Sequence, residues 1–274
     1  MRISLMTTCL VDVMAPDVAR STVLLLERLG HEVVFDPRQT CCGQMHTNSG
    51  YYREAAPVVR SFVDTFEPSL DRIDAIVMPS GSCAGCVRDQ HRKVAQHEGD
   101  AELEERAAAV SAKTYELSEL LVDVLKVTDV GAYFPHTVTY HPTCHSMRFL
   151  KVGPRPLKLL RAVEGIEVVN LPESDTCCGF GGTFSVKNDA TSDAMVTDKA
   201  ANVERSGAEF VVAGDASCLM NIGGKLRRTR SENAETESTR TEGAAPRAVH
   251  LAQILASTRD EPFVPAETIL GRAS

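Results

Sequence analysis

The chain opens on a short apolar run, Ile3-Ser4-Leu5-Met6, and after Pro16 one face collects Val18, Thr22, Leu25, Leu26 and Leu29. The run predicts a strand. The spaced positions predict an amphipathic helix that proline can open at its first turn and that Gly30 can close by turning left-handed. The string EVVF at 32–35 reads as a second strand, a helix follows over about 49–66, and AIVMP at 75–79 reads as a buried third strand. Strands alternating with helices need crossover connections, so the predicted fold is α/β, a mostly parallel sheet flanked by helices.

The same pattern then begins again. Residues 138–140 stand before Thr143-Cys144 as residues 3–5 stand before Thr8-Cys9. GHEVVF at 30–35 returns as GIEVVN at 165–170, and AIVMPSGSC at 75–83 returns as FVVAGDASC at 210–218. Self-similarity at a fixed separation marks a duplication. Two pseudo-repeated halves are therefore expected, residues 1–133 and 134–274, the first ending in connecting helices over about 102–125. The polar, low-complexity stretch 229–247 is expected to be a mobile insertion in the second half, before a last helix around 249–256.

Composition narrows the function classes. The 274 residues are 43% hydrophobic, enough for a core in each half, and the net charge is −8 with 29 basic residues spread along the chain. Nucleic acid and anionic membranes select clustered Lys and Arg, so neither is an expected partner. No window approaches the roughly 20 apolar residues of a membrane helix, and Asp12 interrupts the apolar core that a signal peptide would need. A soluble, cytoplasmic protein is expected.

Nine cysteines change the picture. A single free cysteine is most often a buried small hydrophobe, and a reducing cytosol disfavours a disulfide framework. These cysteines repeat. Cys9 recurs as Cys144, Cys41-Cys42-Gly43 as Cys177-Cys178-Gly179, and Cys83 as Cys218, at separations of 135 or 136 residues. Only Cys86 has no mate, because Asn221 stands at its counterpart. Each group falls at or just after the carboxyl end of a predicted strand, the edge where open α/β sheets bind ligands.

Several thiolates converging on one point need a soft cation to neutralise them. The five in the first half exceed the four of a closed zinc site, which favours a polynuclear iron–sulfur cluster. Adjacent cysteines point their side chains apart and could reach different irons, while the following glycine permits a tight turn and a close approach of backbone N–H groups. Of the nearby residues, His141 and His145 are candidates for a missing ligand, and His46 a weaker one. Asp215 is read as a turn cap before a catalytic acid, Gly181 and Gly182 as backbone wrapped closely round a cluster, and Lys187 and Lys199 as solvated. No flavin or nicotinamide fingerprint accompanies them, so hydride chemistry would fall to a partner.

A lone Cys, about thirty residues, CCG, then nearly forty residues and CxxC is a pattern that resembles the cysteine-rich CCG-domain proteins, the family of lactate-utilization and heterodisulfide-reductase subunits. Here it reads Cys9, Cys41-Cys42-Gly43, Cys83-Ala84-Gly85-Cys86, then Cys144, Cys177-Cys178-Gly179, Cys218, with Asn221 in the last place. The strings TCLVD, CCGQ, NSGY, PSGSC, TCCGFGGTFSVK and SCLMNIGG place the resemblance nearest the lactate-utilization branch. The resemblance implies a cytoplasmic iron–sulfur subunit that works with a ferredoxin-like subunit and a third subunit in oxidising L-lactate to pyruvate. By the same token, all nine cysteines are implied as cofactor ligands, for a 4Fe-4S cluster, noncubane in heterodisulfide reductase, at Cys9, Cys41, Cys42, Cys83 and Cys86. The second site, at Cys144, Cys177, Cys178 and Cys218, is left open between a cubane, an incomplete cluster and zinc. Alternatives are a thiol–disulfide reductase acting at its cluster and a zinc-binding scaffold.

Overall fold

The structure is a computed structural model and describes residues 1–235 and 245–263. Two four-stranded sheets form the frame. The first takes β1 (Arg2–Leu5), β2 (Glu32–Val34), β3 (Ala75–Met78) and β4 (Thr114–Glu116) in the order β2-β1-β3-β4. The second takes β5 (Thr137–Tyr140), β6 (Glu167–Val169), β7 (Phe210–Ala213) and β8 (Arg247–His250) in the order β6-β5-β7-β8. Every pairing is parallel. The two sheets thus share one topology, as the duplication requires.

Local chemistry explains the elements. Pro16 opens the helix Pro16–Arg28, whose Val18, Thr22, Leu25 and Leu26 are buried, and Gly30 follows at φ +83°. The central strands β3 and β7 are buried at every position, as strands covered on both faces must be. Two of the strands, β4 and β8, lay outside the three-strand pattern expected for each half. Thr114-Tyr115-Glu116 and Arg247-Ala248-Val249-His250 are short edge strands with polar ends, and they carry no apolar run. The region 102–125 is helical over Ala101–Ala112, then yields β4 before turning helical again at Leu117–Glu119.

The expected insertion at 229–247 is shorter in practice. The helix Ala216–Glu235 runs into it, β8 starts at Arg247, and residues 236–244 lie outside the described residues. The last helix is Leu251–Ala256.

One hydrophobic core joins the halves, carrying Leu25 and Leu26 together with Leu159, Phe210, Ile254 and Leu255. Arg28 fastens it by donating to the carbonyls of Leu255 (2.6 Å), Ala256 (2.7 Å) and Val130 (3.0 Å). At the other contact, Ser80 Oγ donates to Asp215 Oδ1 at 2.6 Å. These two residues are each other's counterparts in the repeat. Each lies just past the carboxyl end of its half's central strand, β3 or β7, so the two sheets approach each other at those ends.

Candidate metal centres

In the first half, β1 delivers Cys9 at the start of the helix Cys9–Met14, the loop after β2 carries Cys41 and Cys42, and β3 leads into the helix Gly81–Gly85 that holds Cys83. Thr8 before Cys9 has φ +68° and ψ 145°, a strained conformation for a non-glycine residue and one that costs about 1–3 kcal/mol. Cys9 and Cys41 sulfurs lie 3.6 Å apart. Cys86 begins a π-helical turn, Cys86–Gln90, and its buried sulfur sits 3.3 Å from the Cys42 carbonyl oxygen and 3.5 Å from Thr47 Oγ1.

The second half repeats the loop closely. Gly43 and Gly179 both have φ +83°, and each donates its N–H to the first cysteine of its pair, Cys41 or Cys177, at 3.4 Å. Only glycine fits at 179, where a Cβ would stand 2.7 Å from the Ser192 carbonyl oxygen.

Eight cysteines, Cys9, Cys41, Cys42, Cys83, Cys144, Cys177, Cys178 and Cys218, line a single cavity between the halves. Ser80, Ser82 and Asp215 line it as well. Asp215 is 1% exposed and accepts from Ser80 Oγ, from Ser82 Oγ at 2.7 Å and from Ser82 N at 3.0 Å. The predicted turn cap is therefore a cap across the halves, on the helix that carries Cys83.

The thiols hold one another in unequal protonation states. Cys41 is driven well below the ordinary thiol range by hydrogen bonds from Cys42 and Cys9 and by the Gly43 N–H. Cys177 is lowered likewise by Cys144 and Cys178, with the Gly179 N–H adding. Cys42 and Cys178 are pushed up, first by the thiol neighbours they donate to and then by burial. Cys86 is lowered to about 5 by Cys42, with His91 and Thr47 assisting. Such a set keeps a few thiolates and several protonated thiols, and loading a cation would release the remaining protons.

The other candidates are placed as follows. His141 is 1% exposed, and one of its ring nitrogens, Cys178 Sγ and Cys218 Sγ all lie within 4.8 Å of one another. His145 Nδ1 lies 3.5 Å from Cys144 Sγ, with its ring stacked on Phe149. Gly181 and Gly182 line the cavity, at φ +56° and +68°. Lys187 is exposed but donates to Tyr51 OH across the halves. Lys199 corrects the expectation of a solvated side chain. It is fully buried, donates to the Glu173 carbonyl oxygen at 2.7 Å, and places its charge near Cys177 and Cys178. Its position on a helix of alternating small and polar residues gave no signal of burial. Asn221 donates its amide to the Cys178 carbonyl oxygen at 2.8 Å, in the place where Cys86 meets Cys42.

A duplicated, all-parallel α/β chain whose cysteines gather at the facing sheet ends defines a class of protein built to present thiol donors to a metal or iron–sulfur cofactor. The buried His141 brings one ring nitrogen within 4.8 Å of two thiol sulfurs, a nitrogen and sulfur donor set that suits a soft cation, so the residues present fit such a group. The chain belongs to the cysteine-rich CCG-domain family, described as "Cysteine-rich domain", which matches residues 3–88 and again 138–223. It is 43% identical over 257 residues to lactate utilization protein A of Geobacillus sp. (strain WCH70), covering 94% of this chain and 100% of that one. Identity to lactate utilization protein A of Oceanobacillus iheyensis is 43% over 260 residues, covering 95% and 98%. Among solved structures, a hypothetical protein from Helicobacter pylori superposes with a TM-score of 0.58 at 12% identity, over 98% of this chain and 50% of that one. That likeness concerns the fold alone. Among the described residues, no helix is long and apolar enough to cross a membrane.

Proposed function

We propose that the chain is the iron–sulfur electron-transfer subunit of a cytoplasmic complex that oxidises L-lactate to pyruvate, working with a ferredoxin-like iron–sulfur subunit and a third subunit. The observation that carries the reading is the near full-length identity to proteins named for lactate utilization, joined to two repeated thiol groups at one cavity. Cys9, Cys41, Cys42, Cys83 and Cys86 would hold a 4Fe-4S centre in the first half, and Cys144, Cys177, Cys178 and Cys218 the second centre. A bound cluster supplies one-electron chemistry. The chain's own residues supply thiolates, a buried setting and the N–H groups of Gly43 and Gly179, each directed at a cysteine sulfur.

The test is lactate-dependent bleaching of the visible chromophore in anaerobically purified protein. Bleaching is expected only when both partner subunits are present. A colourless protein holding zinc alone would replace this reading with a zinc-binding scaffold.

The shared cavity favours a second reading, thiol–disulfide reduction at the cluster, since a disulfide entering it would face thiol groups of both halves. Two electrons and two protons would convert that disulfide to two thiols, with a chemical reductant standing in for the donor. Disulfide turnover without lactate or partners would favour this second reading.

A further inference from the structure

Each half turns four cysteines to the cavity, and the first half keeps a fifth, Cys86, buried behind them. Its counterpart Asn221 is occupied elsewhere, because its amide donates to the Cys178 carbonyl oxygen at 2.8 Å. The second half has another buried donor. His141 follows β5 and is held by its own N–H, which donates to the Val212 carbonyl oxygen at 2.8 Å. Its Nδ1 is buried and has no hydrogen-bond partner among the described residues. A buried polar atom left unpaired is costly, so the ring is not fully satisfied by protein partners, and one of its nitrogens lies within 4.8 Å of Cys178 Sγ and Cys218 Sγ.

At the corresponding place after β1 stands Met6, fully buried and packed in an apolar cluster, so the first half has no such donor there. We infer that His141 is the fifth donor of the second site, binding through an imidazole nitrogen the metal that Cys178 and Cys218 bind, an iron of a cluster or a zinc ion. This rests on the reading of Cys144, Cys177, Cys178 and Cys218 as metal donors. An imidazole ligates in its neutral form. Exchanging a thiolate for a neutral imidazole removes negative charge, so an iron centre held this way has a higher reduction potential than its all-thiolate counterpart. Electrons would then run downhill from the first-half centre to the second.

The experiment compares full-length wild-type, His141→Leu and His141→Cys proteins purified anaerobically, read by iron, sulfide and zinc content. Wild-type protein grown with 15N-histidine is examined in parallel, by hyperfine spectroscopy for iron or by counting nitrogen and sulfur neighbours with X-ray absorption for zinc. His141→Leu is expected to lose the second-half metal, with affinity down by about tenfold or more. His141→Cys is expected to keep that metal, at a lower potential if it is iron. The wild type is expected to show a histidine nitrogen bound to the metal, a readout that stands even if His141→Leu fails to fold. Full metal content in His141→Leu with no histidine nitrogen in the wild type overturns the inference and leaves the reading of the cysteines intact. A wild-type chain with no metal in either half overturns both.

Discussion

Behind the four cysteines that each half presents, the first half keeps Cys86 at the start of a π-helical turn, whereas the second keeps His141 at the end of a strand. The helix that should have carried the second half's fifth cysteine, Ala216–Glu235, runs on unbroken through Asn221. Nearby, the helix after the second CCG turn buries the cation of Lys199, where the buried positions of the first-half helix are filled by Ala55, Ala56, Val59, Phe62, Val63, Thr65 and Phe66 and carry no charge. Duplication has therefore kept the backbone that gathers thiols, including the two CCG turns at φ +83°, while the residues packed behind those thiols have diverged. Turn geometry is set by a few positions that tolerate only glycine. The donor behind it can come from any element that ends nearby.

The largest expected effect separates the two turns. Gly179→Ala is expected to lose about 4 kcal/mol of stability, since it adds a Cβ 2.7 Å from the Ser192 carbonyl oxygen to the cost of a left-handed residue. Gly43→Ala, whose Cβ would meet only Val58 at 3.5 Å, is expected to lose about 1–2 kcal/mol. Denaturant unfolding of both variants checks the pair, and equal losses would show that the turns are under the same constraint.

A second contrast lies at the last residues of the edge strands, Glu116 of β4 and His250 of β8, which pair with the equivalent residues Met78 and Ala213. Both cap the helix that follows, Glu116 by accepting from Ser118 N and His250 by accepting from Ala252 N. Burial raises Glu116 from 4.5 to about 7 and lowers His250 from 6.5 to about 4. Protonated Glu116 thus contributes stability that is full below pH 4.5 and lost as pH rises through about 7, and the shift is worth about 3 kcal/mol. Neutral His250 contributes stability that is present above pH 6.5 and lost as pH falls through about 4. Glu116→Gln is expected to leave stability rising between pH 4 and 6.5, and His250→Asn to leave it falling between pH 4.5 and 7, as unfolding at a series of pH values would show.

How much of this could be read from the chain follows from the same contrasts. The duplication, the first three strands of each half and the convergence of cysteines were legible, because apolar runs and CCG turns are local signals. The edge strands β4 and β8 were hidden by their short, polar-ended sequences, and Lys199 by a helix with no strong apolar stripe. His141 was visible as a candidate, but nothing in its spacing separated it from His145. Only the packing does, since His141 is buried beside two thiols while His145 stacks on Phe149. That both cysteine groups open on one cavity depends on how the halves face each other, which no local pattern encodes.

Smaller effects sharpen the contrast between the fifth positions. Cys86→Ser is expected to weaken first-half metal binding by about tenfold and leave the second half alone, while Asn221→Cys should leave the second site unchanged, because His141 already supplies its fifth donor. Competition with a chelator measures both, and a second site strengthened in Asn221→Cys would mean that it lacks a fifth donor. Smallest of all, Thr8→Gly is expected to gain about 1 kcal/mol by relieving φ +68°, whereas Thr143→Gly, which has no positive φ to relieve, should lose stability.

The central claim, that each half builds its own metal centre on its CCG turn, is tested most directly by metal and sulfide content per chain. The proteins to compare, all purified anaerobically, are the wild type, Cys41→Ser/Cys42→Ser and Cys177→Ser/Cys178→Ser. Each double substitution is expected to remove one centre and spare the other, leaving two different residual spectra. Equal metal content in all three proteins, or loss of both centres from either substitution in a chain that remains folded, would contradict it.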